Sequence, residues 1–304
     1  MKTHRNLLKC TGFLLGLVIL LIIISFFFQR KDGLYVYDSL SVSVKTADIK
    51  AEPDNSLDVL FFGDSESYAA FSPRHLYSKY GYTSYVCGTA AQKVCDTYAI
   101  LKDVFETQSP KVIVLETNCL FRDLKSKEEN PDLVMNYLTD TLPVFANHTA
   151  WKKAARKLLP KSRDERRRKQ KGFIVRKNVI PYKGGKYMKK TKKKKTVKKD
   201  ISSYLEQIIT LCEENQAELL LVSTPSPKNW NYKKHNGVKE WADSHSIDYI
   251  DLNLDKGIKI NWNKDTKDGG DHLNLNGAKK VTSFMGEYFR ANYPLEDKRG
   301  KSDH

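Results

Sequence analysis

Cysteine is scarce in this chain of 304 residues, and Cys10, Cys87, Cys95, Cys119 and Cys212 contain no CxxC pair and no zinc-like spacing. An odd count spread this widely is a poor disulfide framework, so a few buried thiols is the better reading. No repeat of fixed period is visible, so the chain is not read as an array of repeats. Asp265, Asp268 and Asp271 recur every third residue but lack the oxygen spacing of an EF-hand, so neither a metal nor any other cofactor is expected. No small-residue A-x-A site follows the apolar N-terminal run, which argues against a cleaved signal peptide. Cys10 precedes that run instead of following it, which excludes a lipoprotein.

Acids are nearly missing from one segment. Residues 151–200 hold 23 Lys and Arg against Asp164, Glu165 and Asp200, a local charge of +20 in a chain whose total is +16, so the remainder sums to −4. The basicity belongs to this insert and not to the whole protein. Three readings stand beside one another: a solvated loop, a contact with anionic lipid or wall polymer at about 1 kcal/mol per basic residue near a charged membrane, and nucleic acid. The last is disfavoured, because charge alone supports it and no nucleic-acid motif accompanies it.

The run Thr11–Phe28 has 18 residues and no charge. At ~1.5 Å per residue it reaches about 27 Å, one hydrocarbon core. Lys2, Arg5 and Lys9 precede it and Arg30 and Lys31 follow, a slight bias towards a cytoplasmic N-terminus. The expected organisation is a cytoplasmic tail (1–10), a single transmembrane anchor (11–28), a stalk (29–56) and an extracytoplasmic α/β domain (57–295). The basic insert (151–200) interrupts that domain, and a charged tail (296–304) closes the chain.

Within the domain, apolar runs at Leu57–Phe62, Thr83–Cys87, Val112–Glu116, Glu218–Ser223 and Asp248–Leu252 read as strands. Helical patterns occupy Pro73–Tyr80, Ala91–Thr107, Asp132–Asn147, Ile201–Asn215, Lys233–Ser244 and Asn276–Asn292. Short strands alternating with helices predict a parallel sheet covered on both faces. Ligands of such sheets bind beyond the carboxyl ends of the strands. That rule selects the loops "GDSES", "CGTAAQ", "ETNCLF" and "STPSP" and the loop after the last strand, all on one rim.

Serine needs a base to become a nucleophile, and that base is usually a histidine held by an acid. Ser65 follows the first strand, where the bland alternative is a helix N-cap. Of seven histidines, His4 and His304 lie at the chain ends, and His75, His148, His235 and His245 lie in or beside helical patterns, with no acid spaced to hold them except Asp243 near His245. His272 lies in "DTKDGGDHLNLNGAKK", between the last strand and the last helix, on the same rim as Ser65.

These blocks, in this order at successive strand ends, resemble those of the SGNH (GDSL-type) hydrolase superfamily, over roughly Leu57–Asn292. Anchor and insert look most like its extracytoplasmic branch, which includes the D-alanyl transfer protein of lipoteichoic-acid synthesis and polysaccharide O-acetylation proteins. The resemblance implies a three-layer, flavodoxin-like domain with Ser65 as nucleophile and His272 as general base. It also implies an oxyanion hole from the N–H of Ser65, the N–H of Gly88 and the side-chain amide of Asn118. Two blocks depart from the pattern. The third reads "ETNC" where Gly-x-Asn-Asp is usual, and the acid expected three residues before the histidine is Gly269. Asp268 is favoured over Asp271 as the triad acid, since Gly269 and Gly270 let the loop fold back, with Asp271 capping the last helix.

The resulting expectation is a serine esterase or O-acyltransferase acting on a cell-surface glycan or teichoic-type polymer, partnered by a multi-span membrane O-acyltransferase. The alternative is a non-catalytic scaffold of a cell-envelope acylation complex.

Overall fold

The computed structural model describes residues 48–124, 168–254 and 257–300, and scattered positions between 6 and 23 of an N-terminal helix. The chain divides into two compact units, Met1–Leu40 with Lys125–Ser162, and Ser41–Leu124 with Arg163–His304. In the first, Phe13, Leu15, Leu17, Ile19, Leu20 and Ile23 are exposed on the helix. Among the described residues no helix is long and apolar enough to cross a membrane, and the anchor expected at 11–28 lies only partly within them. The helix expected at Asp132–Asn147, the insert up to 167 and the tail beyond 300 lie outside the described residues.

The second unit is an α/β fold around a parallel five-stranded sheet. Its described elements run β1 (Val59–Phe62), α1 (Ser65–Ala70), α2 (Pro73–Tyr80), β2 (Ser84–Val86), α3 (Val94–Val104), β3 (Val112–Glu116), a 3-10 turn (Thr117–Phe121), α4 (Lys199–Glu214), β4 (Glu218–Ser223), α5 (Tyr232–Ser244), β5 (Asp248–Asp251) and α6 (Leu275–Asn292). The strand order is β2-β1-β3-β4-β5, all parallel. Parallel neighbours need crossover connections, which the helices supply.

Both faces of the sheet are covered, so its central strands read as unbroken apolar runs. Val59, Phe61, Val112, Val114, Leu220 and Val222 join Phe71, Leu76, Val281, Met285 and Phe289 in one core under α2 and α6. The alternate residues Leu60, Phe62, Ile113, Leu115 and Leu221 are equally buried on the other face, as the two-residue period of a strand requires. Phe61 stacks on Phe71 at 4.4 Å and 16°. The register aligns the carboxyl ends Phe62, Val86, Glu116, Ser223 and Asp251 along one edge.

Two expected boundaries move. The end of the stalk belongs to the domain: Ile49 is fully buried, Asp48 pairs with Arg168 at 2.7 Å, Glu52 pairs with Lys171, and Ser56 N donates to Gln108 Oε1. The second half of the basic insert is extended and lies on the domain, so the solvated-loop reading does not describe it. Residues 171–197 form a strap held by main-chain bonds. Ile180 N donates to Thr266 O, Gly269 N to Ile180 O, Tyr182 N to Trp262 O, Leu275 N to Arg176 O, and Lys195 N to Lys233 O. Tyr182 and Tyr187 meet Trp262 edge-on, while Phe173 and Val197 are buried. A few apolar and aromatic residues spaced among the lysines anchor the segment across the loop that carries His272.

Candidate active site

Where β1 ends, Gly63 turns the chain at φ +127, and a Cβ there would lie 2.7 Å from Glu116 Cβ. Asp64 caps α1, its Oδ1 accepting from Glu66 N at 3.0 Å. The cap and the candidate nucleophile are therefore different residues. Ser65, the first residue of α1, has its Oγ 2.8 Å from His272 Nε2. The Tyr68 phenol is also hydrogen-bonded to Ser65 and is raised chiefly by its own burial.

The loop bearing His272 turns through Gly269 (φ +73) and Gly270 (φ +88), conformations that cost a residue with a Cβ. This turn brings Asp268 back onto the imidazole. Its Oδ1 accepts from His272 N at 2.7 Å and its Oδ2 is 2.8 Å from Nδ1. Burial alone would raise the Asp268 carboxyl, but the bonds from the His272 N–H and ring, with the nearby Lys267 ammonium, hold it below its ordinary value. A carboxylate on Nδ1 fixes the tautomer that leaves Nε2 free to accept the serine proton.

Asp271 stands farther from the ring, 3.5 Å from Nδ1, and accepts from Asn229 Nδ2 at 2.6 Å. It does not cap the last helix. Asn274 does, accepting from Asn276 N and Gly277 N. The side chain of Asn274 reaches the open amides of α6 directly, so nothing is left for Asp271 to cap.

The other sequence-selected residues lie on the same rim. Gly88 follows β2, where a Cβ would come within 1.9 Å of Ser67 Oγ and 2.8 Å of Gly63 O. The close approach that requires glycine there is thus to the turn holding Ser65. Asn118, in the 3-10 turn after β3, has Nδ2 donating to Asp64 Oδ2 at 2.8 Å, and its Oδ1 accepts from Lys234 Nζ at 2.9 Å. Asp64 is fully buried and also binds Arg122 at 2.6 Å.

Other members of this network lie in the selected loops or beside them, and their partners are not set by any spacing in the sequence. Glu66 accepts from Ser226 Oγ and from Asn229 Nδ2, and Glu116 accepts from Asn118 N. Both carboxyls are pushed well above the usual range, first by burial, then by neighbouring acids. Glu66, Asp271 and His272 offer ligand atoms within 4.8 Å of one another. That cluster fits a metal poorly, because His272 is engaged by Ser65 and Asp268, and Asn229 donates to both acids. Asp265 is turned away from it, binding Lys280 at 2.6 Å. Cys119 is fully buried and its thiol is raised by burial first, then by Glu116 and Asp64, which leaves it inert as a nucleophile. Cys95, Cys119 and Cys212 are free thiols.

The fold also supplies an acid that spacing did not reveal. His235 Nδ1 lies 2.8 Å from Asp251 Oδ2, although no acid lies near it in sequence.

No family model matches the chain, and no curated protein matches it. Among solved structures it is similar to a GDSL-like lipase from Bacteroides thetaiotaomicron, at 10% identity over 83% of this chain and 98% of that one, TM-score 0.42. It is also similar to a lipase/acylhydrolase from Enterococcus faecalis, at 12% identity over 79% and 99%, TM-score 0.40. A third is a psychrotrophic esterase from Pseudoalteromonas sp., at 12% over 77% and 96%, TM-score 0.39. Likenesses this distant carry no argument about chemistry, which rests on the geometry above.

Proposed function

We propose that this protein is a serine-dependent acyl-ester hydrolase or O-acyltransferase of the cell envelope, of the SGNH type, acting on a surface polysaccharide or teichoic-type polymer. The observation that carries the proposal is the alignment of Ser65 Oγ, His272 Nε2 and, on Nδ1, Asp268, each contact 2.8 Å. Ser65 Oγ attacks the ester carbonyl carbon while its proton passes to His272 Nε2. The oxyanion is met by the N–H groups of Ser65 and Gly88 and by the second N–H of Asn118 Nδ2. Collapse breaks the bond to the leaving alcohol, whose oxygen takes the proton from His272. Water or a sugar hydroxyl then attacks the acyl-serine, gives its proton to Nε2, and releases the product as Ser65 recovers its own.

The polymer substrate, the single-pass anchor at 11–28 and the multi-span acyltransferase partner belong to the same proposal. The apolar side chains exposed between Phe13 and Ile23 support a membrane-bound N-terminus, and the basic strap beside the catalytic loop supports an anionic or membrane-borne substrate.

A fluorophosphonate probe should label the protein at Ser65, and Ser65→Ala should abolish labelling and lower hydrolysis of 4-nitrophenyl acetate by about 10³-fold or more. A correctly folded protein that is never labelled is a scaffold and not an enzyme. Mass spectrometry of surface polymer from cells carrying Ser65→Ala separates transfer from hydrolysis: acylation lost means transferase, acylation gained means esterase.

A further inference from the structure

Lys234 lies in the first turn of α5, and its ammonium sits where a carboxylate partner would be expected. It donates instead to two neutral oxygens, Asn118 Oδ1 at 2.9 Å and Asn229 O at 2.6 Å. It also lies 5.1 Å from the centre of the Phe121 ring and 5.6 Å from that of Trp230. The two asparagines follow the neighbouring strands β3 and β4 and hold different parts of the candidate site. Asn118 is the amide expected to meet the oxyanion, and Asn229 holds Glu66 and Asp271 beside His272.

With its oxygen on a cation and one N–H on the Asp64 carboxylate, the Asn118 amide can take only one orientation, and its second N–H is left for another acceptor. A cation on the amide oxygen also draws electron density from the nitrogen and makes that N–H a stronger donor.

We propose that Lys234 is a positioning residue for acyl transfer: it orients and polarises the Asn118 amide for the oxyanion and ties that amide to the Asn229 side of the site. This rests on the reading of Ser65 as the nucleophile and of Asn118 as an oxyanion donor.

The surroundings supply the means to test it. The charged groups facing Lys234 are Lys195 from the strap, Glu116 from the end of β3, Asp64 from the turn after β1, and Arg122 after the 3-10 turn. Asp64 is paired with Arg122 and Glu116 is pushed towards its neutral form, so neither fully offsets the ammonium. Burial first, then the repulsion of Lys195, lower Lys234 to about 8. Above that pH the cation on the amide oxygen is lost, and turnover should fall.

The experiment uses the full chain and 4-nitrophenyl acetate, comparing wild type with Lys234→Met and Lys234→Arg. The expected result is an alkaline limb near pH 8 in the wild-type kcat profile that vanishes in Lys234→Met. In that variant kcat falls about tenfold to a hundredfold while KM stays within about twofold. Lys234→Arg should restore part of the rate and move the limb above about pH 10. Unchanged kcat and pH profile in Lys234→Met, or a loss that Lys234→Arg does not lessen, overturns the proposal. The Asn118 side-chain amide resonance, followed by NMR in Ser65→Ala, separates the two readings because it needs no turnover. A shift near pH 8 that Lys234→Met abolishes upholds the contact even if the serine mechanism fails, and its absence overturns it.

Discussion

Two histidine–aspartate pairs stand near the carboxyl edge of this sheet, each with an imidazole Nδ1 2.8 Å from a carboxylate oxygen. In one, the Asp251 side chain is 3% exposed and already accepts from Trp230 Nε1 at 2.9 Å, while the Tyr249 hydroxyl approaches at 3.3 Å. In the other, the Asp268 side chain is 31% exposed and the far side of the imidazole holds the Ser65 hydroxyl. The difference is instructive. A paired histidine is as useful for closing a sheet edge as for moving a proton, and what separates the two is the group on the second nitrogen and the access to it.

The comparison can be broken most sharply at the acid. Asp268→Asn should lower kcat for 4-nitrophenyl acetate by about 10²–10⁴-fold, because an amide on Nδ1 permits the wrong tautomer. Asp271→Asn, farther from the ring and held by Asn229, should cost less than about tenfold. A larger loss in the second variant would move the triad acid to Asp271.

His235→Ala tests the other pair. Removing one partner from the buried Asp251 should cost about 1–3 kcal/mol of stability, read as a lowered Tm, with kcat of the folded protein within about twofold of wild type. A collapse of kcat at unchanged Tm would give this pair a part in the chemistry.

The smallest effect sharpens the role of the acids between the two pairs. The folded state holds the Glu66 proton to a higher pH than the unfolded chain does, chiefly because the carboxyl is buried. Over that interval the folded state binds more protons, so the contribution to stability is fully present below the unfolded value and is lost as pH rises through the folded one. Glu66→Gln keeps the acceptor for Asn229 and removes the titration. The fall in Tm as pH rises above the ordinary carboxylate range should therefore flatten in the variant, and an undiminished slope would mean that the folded state holds no extra proton on Glu66.

Much of this architecture is legible in the sequence because it is locally encoded. Val112–Glu116, Glu218–Ser223 and Pro73–Tyr80 carry their bounds in apolar runs or helical spacing, and the structure places them at those residues. The first strand is shorter than its apolar run because Asp58 turns its carboxylate onto Thr83 N and Oγ1, so the ladder starts at Val59. The glycine pair before His272 carried enough stereochemistry to favour Asp268 over Asp271. The rest of the site was not legible, since it is assembled across distances that no spacing records. Lys234 and Asn118 are separated by 116 positions, Asn229 and Glu66 by 163. The strap escaped for another reason. Its lysines give the charge pattern of a solvated face, while its attachments are main-chain bonds, to which composition is blind.

Those same attachments make the strap a fastener whose continuity matters more than its side chains. Its hold on the loop comes from peptide groups at Arg176, Ile180 and Tyr182, so a single proteolytic nick between Arg176 and Tyr182 would divide those attachments and loosen the segment that carries His272, while leaving the sheet standing.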